Sequence, residues 1–265
     1  WQKKICLVTG ASAGLVLAIA RTLASHRAIV LLNARTIGPL RQISELLQST
    51  GSDAVALPGD VTSQTDVDSL AKEIQNRYGR LDLLCNCAGR SMRGSILETS
   101  VEDFQKLWEL NFLATVRTTR AFAPLLSQQR GHLVNIGSLA GKIAPRYLGA
   151  YPASKFAVTA YSQQLRLELG PSGLHVLLVC PGPLKREDSI SRYAEEAGNI
   201  PDAAQAPGGG VKLKGIEPDW LAEKILTACE RRQSELIVPG KVRWLLALSQ
   251  ISPRLGDWIL DKTTG

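Results

Sequence analysis

Tyr151 and Lys155 stand four positions apart in Tyr151-Pro152-Ala153-Ser154-Lys155, where a stretch with helical apolar spacing begins. That spacing brings two side chains to one face of a helix, and Pro152 is tolerated in a first turn. A free tyrosine titrates near pH ~10, too high for efficient proton transfer at neutral pH. A neighbouring ammonium stabilises the phenolate and lowers that value. Ser138, in Ile136-Gly137-Ser138-Leu139-Ala140-Gly141, can donate to a substrate carbonyl and polarise it. A Tyr–Lys pair at this spacing is ordinary on helices, so its meaning depends on what surrounds it in the chain.

The first apolar run ends in Thr9-Gly10-Ala11-Ser12-Ala13-Gly14-Leu15, directly before a helical pattern. A glycine-rich passage from strand to helix lets backbone N–H groups approach a pyrophosphate at the positive helix end. An NAD site has an acid at the end of the second strand to bind the ribose 2′-hydroxyl. That stretch here reads Asn33-Ala34-Arg35-Thr36. Arg35 can pair with a 2′-phosphate and stack on adenine, which favours NADP(H) over NAD(H); a solvated helix-start residue is the alternative. After the third strand, Gly59-Asp60-Val61-Thr62 offers a carboxylate either to adenine or to the cap of the next helix. After the fourth, Asn86-Cys87-Ala88-Gly89 is a small-residue turn suited to packing against a ribose.

The elements that position these residues alternate. Strands are expected at Ile5–Thr9, Ala28–Asn33, Asp53–Leu57, Leu81–Cys85, His132–Ile136, Leu174–Cys180 and Glu235–Val238. Helices are expected at Gly14–Ser25, Pro39–Ser49, Gln64–Tyr78, Val101–Leu126, Tyr151–Leu169, Pro218–Arg231 and Lys241–Leu260. Continuous apolar strands between helices predict an α/β fold: a single-domain, doubly wound parallel sheet of about seven strands, covered on both faces. A Rossmann-type domain is expected over residues 1–240, with a Pro/Gly-rich segment at 183–215 read as a lid or disorder, and a helical tail over 241–265. Residues 189–197 can carry a short helix within that segment.

At 265 residues, one α/β domain fits better than two. The net charge of +7 admits a nucleic acid, an anionic membrane or an anionic cofactor as partner. No dense Lys/Arg run with interleaved aromatics is present, so nucleic acid is not expected. Five cysteines without paired spacing argue against a disulfide framework and for a reducing, cytoplasmic setting. His26, His132 and His175 are not expected to cluster with those cysteines, and no metal site is expected. The chain opens at Trp1, as if a trimmed or processed segment preceded it, and no stretch has the length and apolarity of a signal peptide or spanning helix.

Taken together, these motifs resemble the short-chain dehydrogenase/reductase family over roughly Lys4 to Val238. Thr9, Gly10 and Gly14 match its Thr-Gly-x-x-x-Gly turn; Asn86, Ala88 and Gly89 match its Asn-x-Ala-Gly turn. Asn111, Ser138, Tyr151 with Lys155, and Pro181-Gly182 match its remaining signatures. The resemblance implies that Tyr151 passes a proton to the substrate oxygen while hydride moves to or from the nicotinamide. It implies that Lys155 binds the nicotinamide ribose and tunes Tyr151, and that Asn111 holds a water linking Lys155 to solvent. Ser12, Ala13, Leu15, Asn33, Val61, Pro181 and Gly182 are expected to line the cofactor. Two positions depart from the pattern. Val16 replaces a third glycine and is expected to crowd the helix start, and no Thr follows Pro181-Gly182. Lys185 and Arg186 are read as solvated loop charges, with cofactor phosphate as the alternative.

In the tail, Trp244, Leu245, Leu248, Ile251, Leu255, Trp258 and Ile259 recur at helical spacing beside Lys241, Arg243 and Arg254. A helix packed on the domain or on another subunit is favoured over one lying on a membrane surface. A homodimer or homotetramer is the expected assembly. The expected activity is reduction of a hydrophobic ketone, or the reverse oxidation. A 3-oxoacyl reductase and a non-catalytic NADP-binding regulator are the alternatives.

Overall fold

Cys6 and Val8 project to one side of the first strand and Ile5 and Leu7 to the other, and all four are buried. A strand apolar on both sides needs cover on both. The computed structural model describes residues 1–10, 14–185, 200, 201, 204, 210, 211 and 213–263. The strands are β1 (Ile5–Thr9), β2 (Ile29–Ala34), β3 (Ala54–Pro58), β4 (Leu83–Asn86), β5 (His132–Ile136), β6 (His175–Pro181) and β7 (Glu235–Val238). They form one parallel sheet in the order β3-β2-β1-β4-β5-β6-β7. Helices α1 (Leu15–Ser25), α2 (Ile37–Ser49) and α7 (Pro218–Glu230) bury their apolar sides on one face. Helices α3 (Gln64–Tyr78), α5 (Ala114–Gln128) and α6 (Tyr151–Leu169) cover the other. This is the doubly wound, single-domain architecture that the alternation predicts. Strand order reverses between β1 and β4, which opens a crevice at the carboxyl ends of the strands.

Three expectations need correction. The helix expected over Val101–Leu126 is α4 (Val101–Trp108), a π-helical turn (Glu109–Leu113) and α5. The extra residue of a π turn rotates Asn111 inward. The single tail helix is instead α8 (Val242–Ile251) and α9 (Pro253–Thr263). Pro253 supplies no N–H to continue α8, and Ser252 before it is extended at φ −149°, ψ 125°.

The third correction concerns the histidines. His132 and His175 start adjacent strands in register, and Cys229 of α7 lies against them. Strand pairing joins residues far apart in sequence, so linear spacing hid this grouping. Burial, with His175 and Arg232 adding to it, pulls His132 down to about 4.

Ser12, Ala13, Arg186 and residues 189–197 lie outside the described residues, as does most of 183–215. The base of that segment is described: Ile216 N donates to Pro183 O (2.9 Å) and Lys185 N to Ile216 O (2.9 Å). Lys185 also pairs with Glu217.

Candidate active site

Tyr151 opens α6 half-buried, and Lys155 lies one turn on, only 6% exposed. The Lys155 Nζ stands 5.9 Å from the centre of the Tyr151 ring and donates to Ile136 O at 2.7 Å, at the end of β5. Burial pulls Lys155 from the ordinary lysine value to about 8, opposed by the Cys87 and Cys180 sulfurs. Ser138 follows β5 in extended backbone, and its Oγ accepts from Ala140 N at 3.1 Å. The hydroxyl's own hydrogen is thereby directed elsewhere, as a donor to a substrate oxygen requires. The Ser138 turn is pressed onto α6 at Gly141, where an added Cβ would lie 2.6 Å from Lys155 O. Thr159 Oγ1 donates to Gly141 O at 3.1 Å and fixes the same contact.

Asn111 is buried beneath this pair. Its amide donates to Arg90 O (2.9 Å) and Ser154 Oγ (2.9 Å), and its Oδ1 accepts from Arg90 N (2.9 Å). Ser154 in turn donates to Tyr151 O at 2.7 Å. Both amide hydrogens are taken by protein groups and Oδ1 accepts once, so the side chain positions the loop after β4 and the first turn of α6. A Cβ on Gly89 would come within 2.9 Å of Asn111 Oδ1 and 3.6 Å of Lys155 Nζ, so only glycine permits this approach.

The cofactor cradle is built along the crevice. Gly10 has φ +74°, and a Cβ there would meet Ala88 Cα at 2.9 Å. Thr9 Oγ1 accepts from Cys87 N (3.2 Å) and Ala88 N (3.4 Å), tying the β1 turn to the β4 turn. Gly14 has φ +60°, and among the described residues nothing lies within 4 Å of its Cβ position and no side chain caps α1. Leu15 is buried, so it can offer a phosphate only its backbone N–H. Open space and uncapped donors fit a pyrophosphate. The Val16 side chain is buried in the core between α1 and the sheet.

Arg35 is largely exposed, 4.0 Å from Asp60 Oδ2. Asp60 Oδ1 accepts from Thr62 N (2.9 Å) and Thr62 Oγ1 (2.7 Å), closing its own turn. Ser63, not Asp60, caps α3. Val61 is buried against Val67 and Ala114, with Ala88 alongside.

The Asn33 and Asn86 side chains are engaged within the protein. The Asn33 amide donates to Leu57 O (3.0 Å) and Gly59 O (3.1 Å), holding the β3 loop. Asn86 ends β4 and binds Asn135 Oδ1 (3.0 Å) and Thr118 Oγ1 (2.8 Å) in the interior. Pro181 closes β6 beside Val238, and Gly182 N donates to Val238 O at 2.7 Å.

Sequence reasoning missed Ser154, whose position three residues after Tyr151 was its only signal. It also missed the contact of Cys85 Sγ with Cys87 Sγ at 3.3 Å, and Arg93, buried with Nη1 donating to Met92 O at 2.9 Å.

The family model for short chain dehydrogenases matches residues 4–196. A ketoacyl reductase, HetN, of a Nostoc species is 32% identical over 97% of this chain and 88% of its own. A short-chain dehydrogenase from Streptomyces avermitilis superposes with a TM-score of 0.80 at 30% identity, over 96% of this chain and 95% of that one. A metagenomic short-chain oxidoreductase in complex with NADP superposes with a TM-score of 0.73 at 30% identity, over 89% and 97%.

Proposed function

The chain belongs to the short-chain dehydrogenase/reductase family, and from that premise we propose that this oxidoreductase reduces a hydrophobic carbonyl compound with NADPH, or runs the reverse oxidation. The observation that carries the proposal is the joint placement of Ser138, Tyr151 and Lys155 at the carboxyl end of β5, beside a helix start fit for a pyrophosphate. A nicotinamide held along this crevice would supply or accept the hydride. Ser138 donates to the substrate oxygen and holds it. Tyr151 gives its phenolic proton to that oxygen, so hydride and proton together convert carbonyl to alcohol. Lys155 stabilises the phenolate left behind, and Asn111 with Ser154 holds the first turn of α6 in place.

Arg35 at the end of β2, where no acid stands, supports a preference for the 2′-phosphate. Met92, Leu107 and Ala150 are buried with Phe104 and Tyr151 packed against them, so the Tyr151 ring rests on apolar core. The name of the Nostoc relative favours a second reading, a 3-oxoacyl thioester as substrate.

The test is NADPH and NADH consumption across a panel of ketones, aldehydes and 3-oxoacyl thioesters, with Tyr151→Phe and Arg35→Ala. Turnover should fall at least ~100-fold in the Phe variant. NADPH affinity should fall roughly tenfold in the Ala variant, with NADH nearly unchanged. Activity that survives Tyr151→Phe removes the assigned chemistry. Tighter binding of NADH than NADPH removes the role of Arg35.

A further inference from the structure

At the opposite, amino-terminal edge of the sheet, His132 begins β5 and His175 begins β6 as paired neighbours. Their rings stand 5.0 Å apart and nearly perpendicular, at 82°, with the two Nδ1 atoms 2.9 Å from each other. Cys229, buried near the end of α7, faces them, and one nitrogen of each ring and the Cys229 sulfur lie within 4.8 Å of one another. Among the described residues this is the one such grouping of potential metal ligands.

The hydrogen bonding assigns the tautomers. His175 Nε2 lies 2.8 Å from Gln233 O. A carbonyl only accepts, so Nε2 carries the hydrogen and Nδ1 presents a lone pair. Between neutral rings, the short Nδ1 contact then holds a single hydrogen, carried by His132. A carbonyl that fixes one imidazole through its far nitrogen is the arrangement that orients histidines around metal ions. The Trp1 ring covers His132 at 5.4 Å.

We propose that His132, His175 and Cys229 form a binding site for a zinc-class divalent ion, ligated by two Nδ1 atoms and one thiolate, which clamps α7 to the start of β5 and β6. Nitrogen and sulfur donors suit a borderline-soft ion and disfavour magnesium and calcium, which take oxygen. With Zn–N near 2.0–2.1 Å and tetrahedral angles, the Nδ1 atoms need to part only to about 3.3 Å. On binding, the His132 hydrogen moves from Nδ1 to Nε2, and the Cys229 thiol proton is released to solvent, so one ion displaces one proton. The three side chains leave a fourth position for an exogenous donor. β5 separates this site from Ser138 by its own length, roughly 15 Å, so the ion acts on stability and is independent of hydride transfer.

The test is titration of the metal-free, fully reduced chain with Co²⁺, as a spectroscopic stand-in, followed by Zn²⁺. One equivalent of cobalt should produce tetrahedral ligand-field bands and a thiolate-to-cobalt charge-transfer band. Zinc should displace it and raise the melting temperature. Cys229→Ala should abolish the charge-transfer band. His132→Asn, at a half-buried position, should weaken binding roughly tenfold or more and keeps the test open if the Cys229 variant does not fold. Absence of the charge-transfer band in the wild-type chain overturns the site, as does cobalt affinity unchanged in His132→Asn.

Discussion

Lys155 is held where an ammonium is disfavoured. Its value falls from 10.5 to about 8 because burial strips water from Nζ faster than Ile136 O replaces it. The unfolded chain therefore binds more protons between pH 8 and 10.5, and folding stability must rise with pH across that window. Below pH 8 the burial penalty, up to about 3 kcal/mol, is fully present. Lys155→Met removes it. Melting temperatures of the wild type, relative to the Met variant, should climb between pH 8 and 10, while the variant loses at least ~100-fold in turnover. A difference that stays flat with pH would show that Lys155 is not depressed. At this scale the sequence was informative for a definite reason. Tyr151 and Lys155 share the start of one helix and Ser138 lies in one turn, a placement that local spacing in the chain already shows. The side chains of Asn33, Asn86 and Ser154 bond to partners that only the tertiary fold brings near, and linear reading does not supply those bonds.

Elements place those residues, and two junctions matter most. The π turn at Glu109–Leu113 buries Asn111, yet its residues read as ordinary helix because five residues are too few to reveal a change of period within a long helical stretch. The second junction is Gly141 against Lys155 O. A Cβ at 2.6 Å from backbone has no flexible partner to yield, so Gly141→Ala must push the Ser138 turn off α6. Stability should drop by about 1–3 kcal/mol and turnover by roughly tenfold or more. Gly38→Ala is the control: nothing lies within 4 Å there, in α2, and stability should hold or rise by up to about 1 kcal/mol. Equal behaviour of the two variants in denaturant titration and steady-state kinetics would remove the special place given to Gly141. Strand positions were legible to within one or two residues because both faces are apolar. The break at Ser252-Pro253 carried a visible proline that the apolar periodicity outweighed.

For the whole molecule, the tail decides what the surface meets. Val242 and Leu246 pack into the domain, which agrees with the favoured packed helix. The other side of α8 presents Trp244 (77% exposed), Leu248 (44%) and Ile251 (77%), and α9 adds Trp258 (58%). A helix apolar on two sides has a second surface to cover. No helix among the described residues is long and apolar enough to cross a membrane. A second subunit and a bilayer interface are the two covers, and the family's common oligomeric habit makes the first the default. Lys241, Arg243 and Arg254 border the patch, and the chain carries a net charge of +7, which draws it toward anionic lipid. Deleting the tail would also remove Val242 and Leu246 from the core, so the cleaner variant is Trp244→Ser with Ile251→Ser. If the tail is interfacial, wild-type protein co-sediments with phosphatidylserine/phosphatidylcholine vesicles, salt weakens it, and the double variant stays in the supernatant as a folded oligomer of unchanged mass. If it is a subunit contact, both proteins ignore the vesicles, and light scattering shows the double variant at half or a quarter of the wild-type mass.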